Sequence, residues 1–210
     1  EGRAALGLAP DQLRLLERLH RYLVRAGAGL EEAARTRLTE ISTRLATLHT
    51  CFGQNVLADE NDWQMALTAA DLDGLPDFAR AAAAEAARER GVEGYVITLA
   101  RSSVEPFLTF SARRDLRERA FRAWVARGAL HPDRDNAALV REILSLRAER
   151  ARLLGAADHA EYRLADTMAG HPDAAEGLLR ATWDPARRRA AAERAELEAL
   201  ARAEGENAPI

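Results

Sequence analysis

Apolar residues recur at steps of three and four along most of this chain, the period of a helix with one buried stripe. Leu13, Leu16, Leu19 or His20, Leu23 and Val24 follow the opening Pro10-Asp11-Gln12, and Gly27 and Gly29 end the run. Proline in a first turn forfeits no hydrogen bond, and Asp11 favours the positive end of the helix dipole. Leu38, Ile41, Leu45, Leu48 and Phe52 mark a second, longer helix. Their alternating steps are the seam two antiparallel helices share, so the first two helices are expected to form a hairpin.

The period changes once. Tyr95-Val-Ile-Thr-Leu99 concentrates aromatic and β-branched side chains in the manner of a short buried strand. No second strand is visible, so its partner is expected in another chain or in a part of the protein outside this sequence. Asn61 to Asp71 reads as a connector pinned by Trp63 and Leu67. In Asp71-Leu-Asp-Gly-Leu-Pro-Asp77, Gly74 permits a left-handed residue and Pro76-Asp77 restarts a helix that runs through alanines to Arg90 and stops at Gly91.

Beyond the strand, Arg101-Ser-Ser103 is placed to cap a short helix holding Phe107 and Phe110. Ser111 caps a charged helix with Leu116, Ala120, Phe121 and Trp124 inward. Gly128 to Asp133 is a loop. Asp135 starts a helix whose stripe is Leu139, Ile143, Leu146 and Leu153 or Leu154, closed by Gly155. Asp158 and Glu161 form a capping-box pattern opening a helix to Met168. After Gly170-His-Pro172 the last helical stretch runs from Asp173 towards Glu206, kinked or divided at Asp184-Pro185. There is no fixed-period repeat and no low-complexity linker, so no internal domain boundary is drawn.

Composition narrows the picture. Much of the 48% hydrophobic fraction is alanine, as in Ala81 to Ala84, which favours helix but buries little area. Close helix packing around a thin core is the expectation. The 30 basic residues, all arginine, and 33 acidic residues are interspersed, the pattern of solvated helix faces and not of a basic nucleic-acid-binding face. The one cysteine, Cys51, excludes an internal disulfide and fits a reducing compartment. No apolar run approaches the ~20 residues that span a bilayer. The start, Glu1-Gly-Arg3, has neither an initiator Met nor a signal-peptide pattern, and the natural beginning is expected upstream.

Reactive chemistry is scarce. None of His20, His49, His131, His159 and His171 opens a His-Glu-x-x-His motif, the arrangement that sets two zinc ligands one turn apart with a base between them. Glu17-x-x-His20 matches half of a di-iron helix motif without the second copy and further glutamates it needs. His49 and Cys51, two apart, point to different sides of a helix. His159-Ala-Glu161 begins a deaminase-like pattern that a single cysteine cannot complete. Asp71-x-Asp73-Gly74 is too short for a calcium loop, and no P-loop, nucleophile elbow or dinucleotide fingerprint is present. Arg113 to Arg119 reads as surface pairs with one arginine reaching another helix, and Arg187-Arg-Arg189 as a solvated arm.

Several stretches in order resemble the thimet oligopeptidase family of zinc metallopeptidases, and within it the bacterial peptidyl-dipeptidase branch. They include Leu45-Ala-Thr-Leu48 with Phe52-Gly-Gln-Asn-Val-Leu-Ala-Asp59, Asp71-Leu-Asp-Gly-Leu-Pro76, Arg90-Gly91 leading into Tyr95-Val-Ile-Thr-Leu99, Arg114-Asp-Leu-Arg-Glu118, Asp135-Asn136, Ile143-Leu-Ser-Leu-Arg147, Ala151-Arg-Leu-Leu-Gly155 and Leu164-Ala-Asp-Thr-Met-Ala169. Tyr95 to Leu99 also suits the oligopeptidase branch.

The resemblance implies an all-α fold of antiparallel hairpins with one short strand near 95–99, residues 1–210 being part of one lobe of a larger, two-lobed cytoplasmic peptidase. It implies Zn2+ in the parent enzyme, held by a motif beyond residue 210, where a zinc-bound water attacks the scissile carbonyl. No catalytic, cofactor-binding or metal residue then falls in this chain, which is expected to be inactive alone. Its partners are short peptides and the remaining catalytic lobe, with no nucleic acid and no membrane. On that reading the chain should bare an unpartnered face around Tyr95 to Leu99 or along the last helix. The alternative is a self-contained, non-enzymatic helical scaffold or interaction module; a carboxylate-bridged metal protein stands behind both.

Overall fold

A computed structural model describes residues 6–205. Eight α-helices are present among them: α1 (Pro10–Arg25), α2 (Glu32–Asp62), α3 (Asp77–Glu89), α4 (Arg101–Phe110), α5 (Arg114–Val125), α6 (Ala137–Leu153), α7 (His159–Leu164) and α8 (Pro172–Ala203). Two strands, β1 (Gln64–Leu67) and β2 (Tyr95–Thr98), pair antiparallel with Gln64 opposite Thr98 and Leu67 opposite Tyr95. The fold is mainly helical, as the periodicity implies. The chain divides into two compact units: Thr36–Leu146, and Glu1–Arg35 with Arg147–Ile210.

The pairing corrects the expectation of an unpartnered strand. β2 finds its neighbour within the chain, in the stretch read as a connector. Gln64-Met-Ala-Leu67 is built from residues with no strong strand preference, so its composition gives no signal. Its alternation does: Met65 and Leu67 are buried while Gln64 and Ala66 are exposed. β2 is covered as well, with Val96, Ile97, Thr98 and Leu99 all buried, so no face is bared there. The Thr98 amide donates to Ser103 Oγ at 3.1 Å, which takes Ser103 away from the capping role its position suggests.

The core of the Thr36–Leu146 unit gathers around this two-stranded sheet. Met65, Leu67 and Ile97 meet Leu72, Leu75, Ala83, Val104, Phe107 and Ala120, with Trp63, Tyr95 and Trp124 half-buried at the margin. α3 lies against β2 through Ala79, Ala83 and Ala87, whose lack of bulk lets the helix approach closely. α2 contributes Leu38, Ile41, Leu45 and Leu48. α5 buries Ala120 and Ala123, whereas Phe121 is exposed; the inward assignment of Phe121 fails because Ala120, one position back, already occupies the inner face.

Helix ends follow local chemistry with small departures. Asp158 Oδ1 accepts from the Glu161 amide at 2.9 Å, while Glu161 Oε2 accepts from Ala157 N at 2.6 Å, one residue earlier than a standard box. α7 stops at Leu164, short of Met168. α8 is one continuous helix through Pro185, capped by His171, whose Nδ1 accepts from the Asp173 amide.

The turn before α3 demands glycine. Gly74 has φ +80°, and a Cβ there would collide with the Phe110 carbonyl oxygen and lie 2.8 Å from the Ala112 amide nitrogen. Both obstacles are backbone, and Ala112 N is fixed by its hydrogen bond to Asp73 O at 2.9 Å. Gly74→Ala is expected to lower the stability of this unit by about 2–4 kcal/mol, read as a drop in urea midpoint with an unchanged slope.

Candidate functional site

The Thr36–Leu146 unit contains one fully buried carboxylate. Asp59, near the end of α2, is 1% exposed. Its Oδ2 accepts from the amides of Gly128 at 2.8 Å and Leu130 at 3.2 Å, and its Oδ1 lies 3.3 Å from Arg134 Nε. Arg134 also reaches Asp62 at 2.6 Å, and Arg127 pairs with Glu60 while lying over the Trp124 ring. Asn136 completes the clasp: its side chain accepts from Asn55 Nδ2 at 2.8 Å and donates to the Phe52 carbonyl, and its amide donates to Gly128 O at 2.7 Å. The end of α2 thus grips the loop between α5 and α6 by charge-assisted hydrogen bonds. Phe52 to Asp59 and Asp135-Asn136, two stretches that carry the family resemblance, meet here, and they serve architecture.

A second charged group ties the turn before α3 to the start of α5. Arg113 pairs with Asp71 and, at 2.8 Å, with Asp115. Hydrogen bonds from the Thr68 amide and hydroxyl, and then the nearby Arg113, hold the Asp71 carboxyl below its ordinary range. Arg113 does the same for Asp115, and the two hydrogen bonds from Arg44 do it for Glu142. This is the arginine that reaches across to another element, and it does so as a structural pair.

The histidines do not converge. His20 and His49 lie exposed on α1 and α2, His131 is exposed in a loop, and His171 caps α8. Among the described residues no group of three or more His, Cys, Asp or Glu could hold a metal ion. Glu17 faces Arg14, and Glu161 is occupied by the α7 start, so neither the half di-iron motif nor the His159-Ala-Glu161 pattern gathers further ligands. The described residues gather no zinc site.

In the other unit sequence reading missed Tyr162. Arg25 lies over its ring at 4.4 Å and Arg150 at 5.5 Å, while Arg21 bonds Asp166 at 2.8 Å. A single tyrosine in a short charged helix carries no periodic signal. In the same unit α8 buries no residue and leaves Leu178, Leu179, Trp183, Leu197 and Leu200 more than half exposed. At 100° per residue these five fall within one sector of the helix, interrupted midway by the Arg189–Glu193 pair.

Comparison with known proteins gives this architecture relatives. The model of peptidase family M3 matches residues 107–208. The chain is 34% identical to the dipeptidyl carboxypeptidase of Escherichia coli over 200 residues and 36% identical to that of Salmonella typhimurium over 198. The Haemophilus influenzae oligopeptidase A is 36% identical over 166 residues. These alignments cover 94%, 93% and 77% of this chain. The chain is similar to peptidases of family M3. It spans 29% of the length of each dipeptidyl carboxypeptidase and 24% of the oligopeptidase A. Among the described residues no metal-ligand group accompanies this similarity.

Two outcomes follow from the charged groups of this chain. Asp59→Ala strands the Gly128 and Leu130 amides and is expected to cost about 2–4 kcal/mol in chemical unfolding, more than Arg134→Ala, whose charge is partly solvated. Asp71, Asp115 and Glu142 each bind a proton less readily folded than unfolded. Their stabilisation is therefore complete above the ordinary carboxylate range of about 4 and is lost as pH falls through their lowered folded values. Urea midpoints taken downwards from about pH 6 should decline, and Asp71→Asn should flatten that decline.

Proposed function

We propose that this chain is a non-catalytic helical segment of a zinc-dependent M3 peptidase, of peptidyl-dipeptidase or oligopeptidase type, acting on short peptides in the cytoplasm. Its part is architectural: a stretch of wall for the channel that admits a thin peptide and turns away folded protein. The observation that carries this reading is the M3 match over residues 107–208 together with 34–36% identity to named peptidases over 77–94% of the chain. The relatives' names speak of dipeptides removed from a carboxyl end and of oligopeptides, which supports small substrates.

The exposed face of α8 supports a docking role. A helix of 32 residues, about 48 Å long, with no buried side chain gains little from its own unit. Leucines and a tryptophan along one side suit burial against the remainder of the parent peptidase. The Tyr95 to Leu99 segment plays no such part, being already paired and covered. That self-contained sheet is the feature that favours the rival reading, a scaffold complete in itself, for the Thr36–Leu146 unit. α8 argues against extending it to the whole chain. No described helix is long and apolar enough to cross a membrane.

The chain alone, mixed with a quenched fluorogenic peptide and zinc, is expected to give no turnover above buffer. The product of the whole reading frame should cleave the same peptide and stop when a chelator is added. Chelator-sensitive cleavage by residues 1–210 alone, or none by the whole product, would overturn the reading.

A further inference from the structure

Most arginines of this chain with a described ion pair face a carboxylate one helical turn away, as Arg180 faces Glu176 and Arg194 faces Glu198. Arg25 and Arg150 depart from this. Among the described residues neither has a carboxylate partner, and each instead lies near the ring of Tyr162. Arg150 Nε is buried without an acceptor, and so is Nδ1 of the neighbouring His159. Stacking on an aromatic face offsets part of a guanidinium's lost hydration but leaves its N–H groups unspent. Two cations gathered on one ring, with donors to spare, form an arrangement that an anion would complete.

An opening lies beside this pair. A cleft of about 330 Å³ is lined by Arg21 and Arg25 from α1 and by Tyr162 on α7, with Val24, Leu154 and Ala165 supplying apolar wall. Arg21 is engaged with Asp166, and Glu161, which also borders the cleft, accepts from the Ala157 amide; neither carboxylate forms a described ion pair with Arg25. That volume is at the lower end of small-molecule sites. A planar guanidinium on one side and branched apolar side chains on the other suit a carboxylate carried on a compact apolar group.

We infer that the Arg25–Tyr162 cleft binds the free carboxylate end of a short apolar peptide. That the carboxylate belongs to a peptide rests on the proposed function; the two guanidinium groups gathered on the Tyr162 ring do not. Arg25 supplies the charge-assisted hydrogen bonds, Tyr162 holds Arg25 in place from below, and Val24 and Leu154 receive the terminal side chain. Hydrolysis is assigned no step here. The His159 imidazole reports on occupancy: burial, then Arg147 and Arg150 on α6 and Arg163 on α7, hold its proton affinity below the ordinary value against the smaller pull of Asp158. An anion entering the cleft offsets that cationic field and raises the affinity again.

The test uses residues 1–210 and three probes: N-acetyl-dileucine as the free acid, the same compound as its C-terminal amide, and inorganic phosphate. Calorimetry is expected to show the acid binding at least about tenfold more tightly than the amide, the scale of one charge-assisted contact, and more tightly than phosphate. In proton NMR the His159 titration midpoint should rise with the acid and stay put with the amide. Arg25→Gln should weaken the acid at least about tenfold, while Arg180→Gln, on α8, should leave it unchanged. Equal binding of acid and amide, phosphate binding without the acid, or an unaffected Arg25→Gln protein would each overturn the inference. Cleavage by the whole reading-frame product survives all three failures, and an inactive product leaves this binding untouched, so the two readings fail separately.

Discussion

A carboxylate removed from water is tolerable only where donors replace the hydration it loses, and Asp59 is 1% exposed. Two backbone amides hydrogen-bond its Oδ2, while the charge of Arg134 lies 3.3 Å from an Oδ1 that accepts no hydrogen bond, and all three groups come from one loop between α5 and α6. The order of the Thr36–Leu146 unit follows from this. With Asp59 held by these amides and this cation, the loop is set against the end of α2, Asn136 is placed to join Asn55 and Phe52, and α6 starts from a fixed position. β1 begins two residues after α2 ends, so the same anchor also aims the strand that receives β2. A thin core of alanines needs such polar fixing, because apolar area alone specifies its geometry weakly.

What the sequence could reveal was whatever one residue's chemistry decides locally. The breaks at Gly27, Gly74, Gly91 and Gly155, the restart at Pro76-Asp77 and the Asp158 cap each depend on a backbone preference or a short-range hydrogen bond, and each stands in the fold. What stayed hidden was decided at long range. Gln64 to Leu67 becomes a strand because Tyr95 to Thr98 pairs with it, which overrides a composition better suited to helix. Phe121 loses the inner face of α5 to Ala120 for reasons of closeness that periodicity cannot rank. Asp59 reads as one acid among 33 acidic residues until the loop carrying Gly128 is brought to it. The Tyr162 cleft joins residues more than a hundred positions apart, beyond the reach of any spacing argument.

These observations separate two kinds of constraint. Stretches on which the resemblance is read, such as Asp71 to Pro76, Asp135-Asn136 and Phe52 to Asp59, are spent on turns and clasps, where a particular hydrogen-bond donor or a left-handed backbone is required. The arginine-rich, lysine-free surface is laced by pairs one turn apart, which support helices but carry little specificity. Resemblance to a hydrolase can thus be strong across a stretch that gathers no ligand set, since framework geometry is as demanding of residue type as chemistry is.

The alanines of α3 have a consequence for how this protein can change over generations. Ala79, Ala83 and Ala87 are the surface on which β2 rests, 9%, 2% and 1% exposed. One altered base turns an alanine codon into a valine codon, and two added methyls at Ala83 or Ala87 would wedge the helix off the sheet. The same change on the outward alanines of α3 meets only solvent. Mutational drift in this helix should therefore be lopsided, with one edge free to diversify while the other is held to the smallest side chain that still forms a helix.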